Sequence, residues 1–128
     1  MTHHPALEFA AKTDTGLIRS HNEDAIAISS DHSFAILADG MGGYNAGEVA
    51  SDIATSVLKD ALEDGLKQLQ GKHELRAHRN EQIHQLMIGS IQRANTAILN
   101  AADAEPEYAG MGTTLVAALF HQDKVTVA

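Results

Sequence analysis

The chain has 128 residues, 44% hydrophobic and 20% charged, with a formal charge of -8, a composition that fits one modest globular domain and excludes a disordered chain. Its 17 acidic residues against 9 basic ones argue against a protein that grips a phosphate backbone through clustered Lys and Arg. No cysteine is present, which excludes disulfides and thiolate metal sites.

In chain order, MTHHPALEFA has neither a cationic segment with an apolar core nor a cleavage site, and no run reaches bilayer-spanning length. A soluble, cytoplasmic protein is the expectation, with neither membrane nor nucleic acid as partner. Residues 1–6 read as an irregular start, and Leu7 to Thr13 as a short strand before a turn at Asp14, Thr15 and Gly16. Arg19, Asn22, Glu23 and Asp24 precede an alternating apolar run, Ala25 to Ile28, which reads as a strand. Ser29 to Ser33 is a turn cluster. Phe34 to Ala38, five apolar residues, reads as a buried strand running into Asp39 and the glycines Gly40, Gly42 and Gly43. Antiparallel pairing of the two strands brings Asp24 and Asp39 to one rim.

Asn45 and Glu48 have the spacing of a capping box for a long helix. Val49, Ile53, Val57, Ala61 and Leu62 recur at helical spacing, with Ala50, Ala54, Leu58, Leu66 and Leu69 widening the apolar face. Gly71 and the His-bearing stretch to Asn80 interrupt this helix. Ile83, Met87, Ile91, Ala94 and Ile98 then mark a second one, and the two predict an antiparallel pair. Ala104 to Gly110 is a loop, Thr113 to Phe120 a strand, His121 to Lys124 a turn, and Val125 to Ala128 a further strand.

These placements carry chemistry. Asp24 and Asp39 beside a glycine loop, with the Gly40 carbonyl, are hard oxygen donors suited to Mg²⁺ or Mn²⁺. Arg19 upstream offers a planar donor fork for a phosphate, and metal with Arg points to phosphoryl chemistry on a water activated by two metals. The ordinary alternatives are a solvated surface pair for Arg19, a turn residue for Asp39, turn and helix caps for Asn22 and Glu48, and core for Met87. The eight histidines are scattered, and none has the spacing of a helical metal pair. A nucleotide loop fails on its key residues: Gly42 and Gly47 are followed by Glu48 and Val49 where a Lys is required, and a dinucleotide fingerprint starting at Gly40 meets Asn45 where it needs Gly or Ala.

RSHNED at 19–24, ADGMGGYNAGEVAS at 38–51 and GMGTTLV at 110–116 together resemble the bacterial branch of the PPM-type (type 2C) metal-dependent serine/threonine protein phosphatases. The resemblance runs from about Leu7 onward and covers the N-terminal half of that catalytic domain. It implies an α+β fold, part of a four-layer α-β-β-α sandwich with antiparallel sheets flanked by helix pairs and two Mn²⁺ or Mg²⁺ ions at one end. It implies that Arg19 binds the substrate phosphate, Asp39 bridges the metals, Gly40 supplies a carbonyl ligand, Glu23 and Asp24 hold the metal shell and its waters, and Gly112, Thr113 and Thr114 open a core strand. Met41 stands where eukaryotic members usually carry His, so no His acid is available there. The family continues into a Gly-Asp-Ser-Arg segment and two aspartate motifs that this sequence lacks. The expectation is therefore an incomplete catalytic domain, inactive alone, whose parent hydrolyses phosphoserine or phosphothreonine in substrates of a bacterial serine/threonine kinase. A noncatalytic interaction module or pseudophosphatase is the alternative.

Overall fold

The computed structural model describes residues 6–31, 33–70 and 76–128; of Arg76 and Ala77 only the backbone is described. Its elements are β1 (Asp24–Ile28), β2 (Phe34–Met41), α1 (Ala46–Gln70), α2 (Arg76–Ala104), a 3₁₀ turn (Pro106–Tyr108), β3 (Gly112–Thr113), β4 (Val116–His121) and β5 (Lys124–Val127). The strands form one antiparallel sheet in the order β1-β2-β4-β5, with β3 extending the β2 pairing beyond β4. Both helices pack on one face, so the described residues supply an α+β unit of one sheet and one helix pair.

β2 organises this unit. Phe34, Ile36 and Ala38 are buried toward the helices, whereas Leu37 and Asp39, on the opposite face, are exposed. Among the described residues the helices therefore cover the expected buried strand on one side, and its other side is largely open. Ile26, Leu37 and Val116 meet in register on the open face, and a cavity of about 540 Å³ lies between that face and residues 8–12. Leu7 to Thr13 is not a strand in the structure. It has no strand partner among the described residues, and it packs on the sheet, with the Phe9 ring 5.7 Å from that of Phe120.

The helix pair is antiparallel, because Leu66 and Leu69 late in α1 join Ile83 and Met87 early in α2, while Ala46, Ala50 and Ala54 join Ile98. The inner stripe of α1 differs from the expected one. Ala50, Ala54, Leu58, Ala61 and Leu62 are buried, whereas Val49, Ile53 and Val57 sit at the margin. Alanines facing β2 let the helix axis approach the sheet, and the branched side chains move to the flanks. α2 begins at Arg76, earlier than the charged stretch suggested. Arg79 Nη1 donates to the Leu69 carbonyl at 2.7 Å, giving the end of α1 a cationic cap. The interruption read at Gly71 falls on residues 71–75, outside the described residues.

The strand expected over Thr113 to Phe120 is split into β3 and β4, and the β1–β2 turn is tied by Ser29 Oγ, which accepts from the Ser33 and Phe34 amides at 2.7 and 2.9 Å. At the β4–β5 turn, Gln122 takes φ of 56°. None of the described helices is long and apolar enough to cross a membrane.

Candidate metal and phosphate site

The β1–β2 register places Asp24 directly opposite Asp39. In this ladder the hydrogen-bonded pairs include Glu23 with Gly40, since the Gly40 N–H donates to the Glu23 carbonyl at 3.0 Å. The Asp24–Asp39 pair is therefore of the closely spaced, non-hydrogen-bonded kind, with both side chains on the open face of the sheet. The Asp24 carboxyl is held above the usual carboxylate range, first by desolvation, then by the Asp39 charge and a hydrogen bond from carboxyl to carboxyl; Arg19 opposes the shift and Glu23 adds to it. Two carboxyls facing one another across the ladder fit a divalent cation, whose charge would offset their mutual repulsion.

The backbones of both acids are fixed. Asn22 Oδ1 accepts from the Asp24 amide at 3.0 Å, and Asn22 Nδ2 donates to Thr13 Oγ1 at 2.8 Å. The Asn22 cap therefore positions the Asp24 carboxylate. Asp39 is held by Thr114: the Asp39 amide donates to Thr114 Oγ1 at 3.3 Å, and the Asp39 carbonyl accepts from the Thr114 amide at 2.9 Å. A hydroxyl here takes the place of a ladder carbonyl, which is the physical reason for the split between β3 and β4.

Glu23 faces elsewhere. A Cβ on Gly40 would overlap the Gly47 carbonyl, and a Cβ on Gly47 would overlap Glu23 Oε2. The Glu23 carboxylate therefore lies against the first turn of α1, in the field of its N-terminus. Arg19 reaches Glu23 from solvent, with Nη1 to Oε1 at 3.6 Å and side chains 75% and 24% exposed. The structure thus brings Asp24 and Asp39 together, joins Arg19 to Glu23, and seats Gly40 between Glu23 and α1. Among the described residues no group of three or more His, Asp or Glu converges as a metal cage. The apolar cavity on the open face contains none of these residues.

Two roles escaped sequence reasoning. The missing side chain of Gly47 is what accommodates Glu23, and the signal for it is a glycine inside a helix, where it costs stability relative to Ala. The hold of Thr114 on Asp39 spans 75 positions in sequence, which no local pattern reveals.

The Protein phosphatase 2C family model matches residues 19–128. The serine/threonine phosphatase stp of Listeria monocytogenes is 38% identical over 120 residues, covering 91% of this chain and 44% of the relative. PstP of Mycobacterium tuberculosis is 36% identical over 114 residues, covering 89% of this chain and 19% of the relative. The crystal structure of the M. tuberculosis serine/threonine phosphatase PstP/Ppp superposes with a TM-score of 0.71 at 34% identity, over 92% of this chain and 44% of that one. A second structure, the PstP catalytic domain in complex with two manganese ions, gives 0.69 at 32% identity over 92% and 45%. The chain thus spans less than half the length of these relatives. With its family model matched from Arg19 to the last residue and its acids set at one rim of the sheet, the chain belongs to the protein phosphatase 2C family.

Proposed function

We propose that this chain is the N-terminal portion of a metal-dependent protein phosphatase catalytic domain that hydrolyses phosphoserine or phosphothreonine in proteins. The observation that carries this reading is the Asp24–Asp39 pairing at the rim of the sheet. Asp39 and Asp24, with the Gly40 carbonyl, would hold Mn²⁺ or Mg²⁺, and Glu23 would complete the outer shell and orient Arg19. Bound divalent ions supply acidification of an attacking water and neutralisation of charge on the phosphoryl group. Arg19 then binds phosphate oxygens through its planar donor fork, exchanging its exposed contact with Glu23 for a substrate contact. Met41 provides no proton donor, so protonation of the leaving oxygen would fall to water or another residue.

Two carboxylates and a carbonyl are few ligands for ions that dehydrate reluctantly. The chain alone is accordingly expected to bind metal weakly and not to turn over. The manganese-bound PstP neighbour supports metal dependence of the completed domain. The substrates would be cytoplasmic signalling phosphoproteins of a bacterial serine/threonine kinase. The test is hydrolysis of a small aryl phosphate by the completed domain across Mn²⁺ concentrations, with Asp39→Asn beside wild type. Asp39→Asn should remove metal-dependent turnover, by more than the roughly 10–100-fold that loss of an outer-shell partner costs, with circular dichroism unchanged. Activity near wild type in the variant would refute the assignment.

A further inference from the structure

β1 is the free edge of the sheet: β2 pairs with its inner side, and no strand pairs with its outer side among the described residues. The direction of its backbone groups follows from the ladder. Glu23 bonds to Gly40, and the Ser29 amide donates to the Phe34 carbonyl at 3.0 Å, so the odd-numbered residues of this segment face β2. Asp24, Ile26 and Ile28 therefore direct their N–H and C=O groups outward. The Asp24 amide is taken by Asn22. The carbonyl of Asp24 and both backbone groups of Ile26 and Ile28 face a groove of about 550 Å³, bounded by β1, by Thr13 and by Asp52, Thr55, Ser56 and Lys59 of α1. Asp24 belongs both to this groove and to the acid pair, so the groove is continuous with the candidate site.

We infer that this groove binds an extended segment of the phosphorylated protein substrate as an added antiparallel strand on β1, delivering the phosphorylated side chain at the Asp24 end. The inference rests on the phosphatase reading and names how that site selects its substrate. Outward backbone groups in register are the requirement for strand addition, and one charge of each sign, Asp52 and Lys59, lies on the α1 wall for side chains of the guest. β1 runs from Asp24 to Ile28, so an antiparallel guest runs toward Asp24. The residues N-terminal to the phosphorylated one then lie along β1, about four of them at the rise of a strand.

The test uses the 128-residue chain in excess Mn²⁺ and a synthetic peptide in which Val-Thr-Val-Thr precedes phosphothreonine, followed by hydrogen exchange and a binding titration. On addition of peptide, the Ile26 and Ile28 amides should slow in exchange, while those of Ala25 and Ala27, already bonded to β2, should not change. N-methylation of one alternating set of peptide amides should weaken binding roughly tenfold and of the other set hardly at all. Removing the four N-terminal residues, or the phosphate, should also weaken it. Ile28→Pro, which deletes an outward N–H at an edge, should lower affinity to a similar extent without disturbing the β2 ladder. Unchanged exchange at Ile26 and Ile28, equal effects of the two N-methylated sets, or full affinity of the truncated or unphosphorylated peptide would overturn the inference. So would a chain that is dimeric by sedimentation with these amides already protected, since the edge would then be occupied by a second copy. Failure of the phosphatase reading is distinguishable, because aryl phosphate hydrolysis by the completed domain makes no use of this edge.

Discussion

The two ends of the sheet are built from different materials. At the Ser29–Phe34 end, Phe34, Ile36, Leu58, Leu62, Ile83, Met87 and Leu119 form a core of large side chains. At the Asp39 end the core is Ala38, Ala46, Ala50 and Ala54 with Ile98 and Met111. Large apolar groups contribute most of the burial energy, so stability is concentrated at the first end. Small ones bring the start of α1 close to the strand ends at the second, where Gly40, Gly47 and Glu23 interlock. The acids can then be exposed and mutually repelling because the other end holds the fold, an arrangement in which strain at a site is offset elsewhere.

The sharpest way to break this division is a reciprocal pair of variants. Phe34→Ala should cost about 3–5 kcal/mol in denaturant unfolding, since the side chain is fully buried, and in the population that remains folded Mn²⁺ affinity should be unchanged. Asp39→Asn should show the converse, with the metal response lost and unfolding stability kept or slightly raised, because the repulsion from Asp24 is relieved. A variant at either end that moved both quantities equally would mean that the two ends are not separable.

Arg19→Ala sharpens the chemical end. In the completed domain KM should rise by about tenfold or more, the scale of a hydrogen bond to a charged group, and Mn²⁺ affinity should hardly change. A large change in metal affinity with unaltered KM would place Arg19 with the metal instead.

How far these two ends were legible differs. The hairpin and the meeting of Asp24 with Asp39 were readable, because strand direction and turn position fix which ends coincide. Both helices were readable from their period. The inner face of α1 was not, since hydrophobicity alone ranks Val49 and Ile53 above Ala50 and Ala54, while close approach to β2 selects the smaller residues. The contacts of Gly47 and Thr114 are not legible for a related reason: each is made with a residue distant in sequence. The segment Leu7 to Thr13 has strand composition, yet in the structure it forms no strand and packs on the open face of the sheet through Phe9.

The smallest expected effect is at the stabilising end. His121 Nε2 lies 2.9 Å from Thr126 Oγ1, and its Nδ1 is buried without a hydrogen-bond partner. Burial first, and then the charges of His84 and Lys124, hold its pKa below 6.5, with Asp123 opposing. The unfolded chain therefore takes up this proton before the folded one, so the contribution is fully present above pH 6.5 and is lost as pH falls from there toward the folded value. Thermal midpoints should decline over that window, and His121→Gln should flatten the decline. An equal decline in the variant would assign the acid sensitivity to other groups.

The most direct measurement of the central claim is calorimetric titration of Mn²⁺ into the 128-residue chain, wild type against Asp39→Asn at equal folded fraction. The paired carboxylates at the rim predict weak, saturable binding in the wild type that disappears in the variant. Indistinguishable isotherms for the two proteins would contradict it.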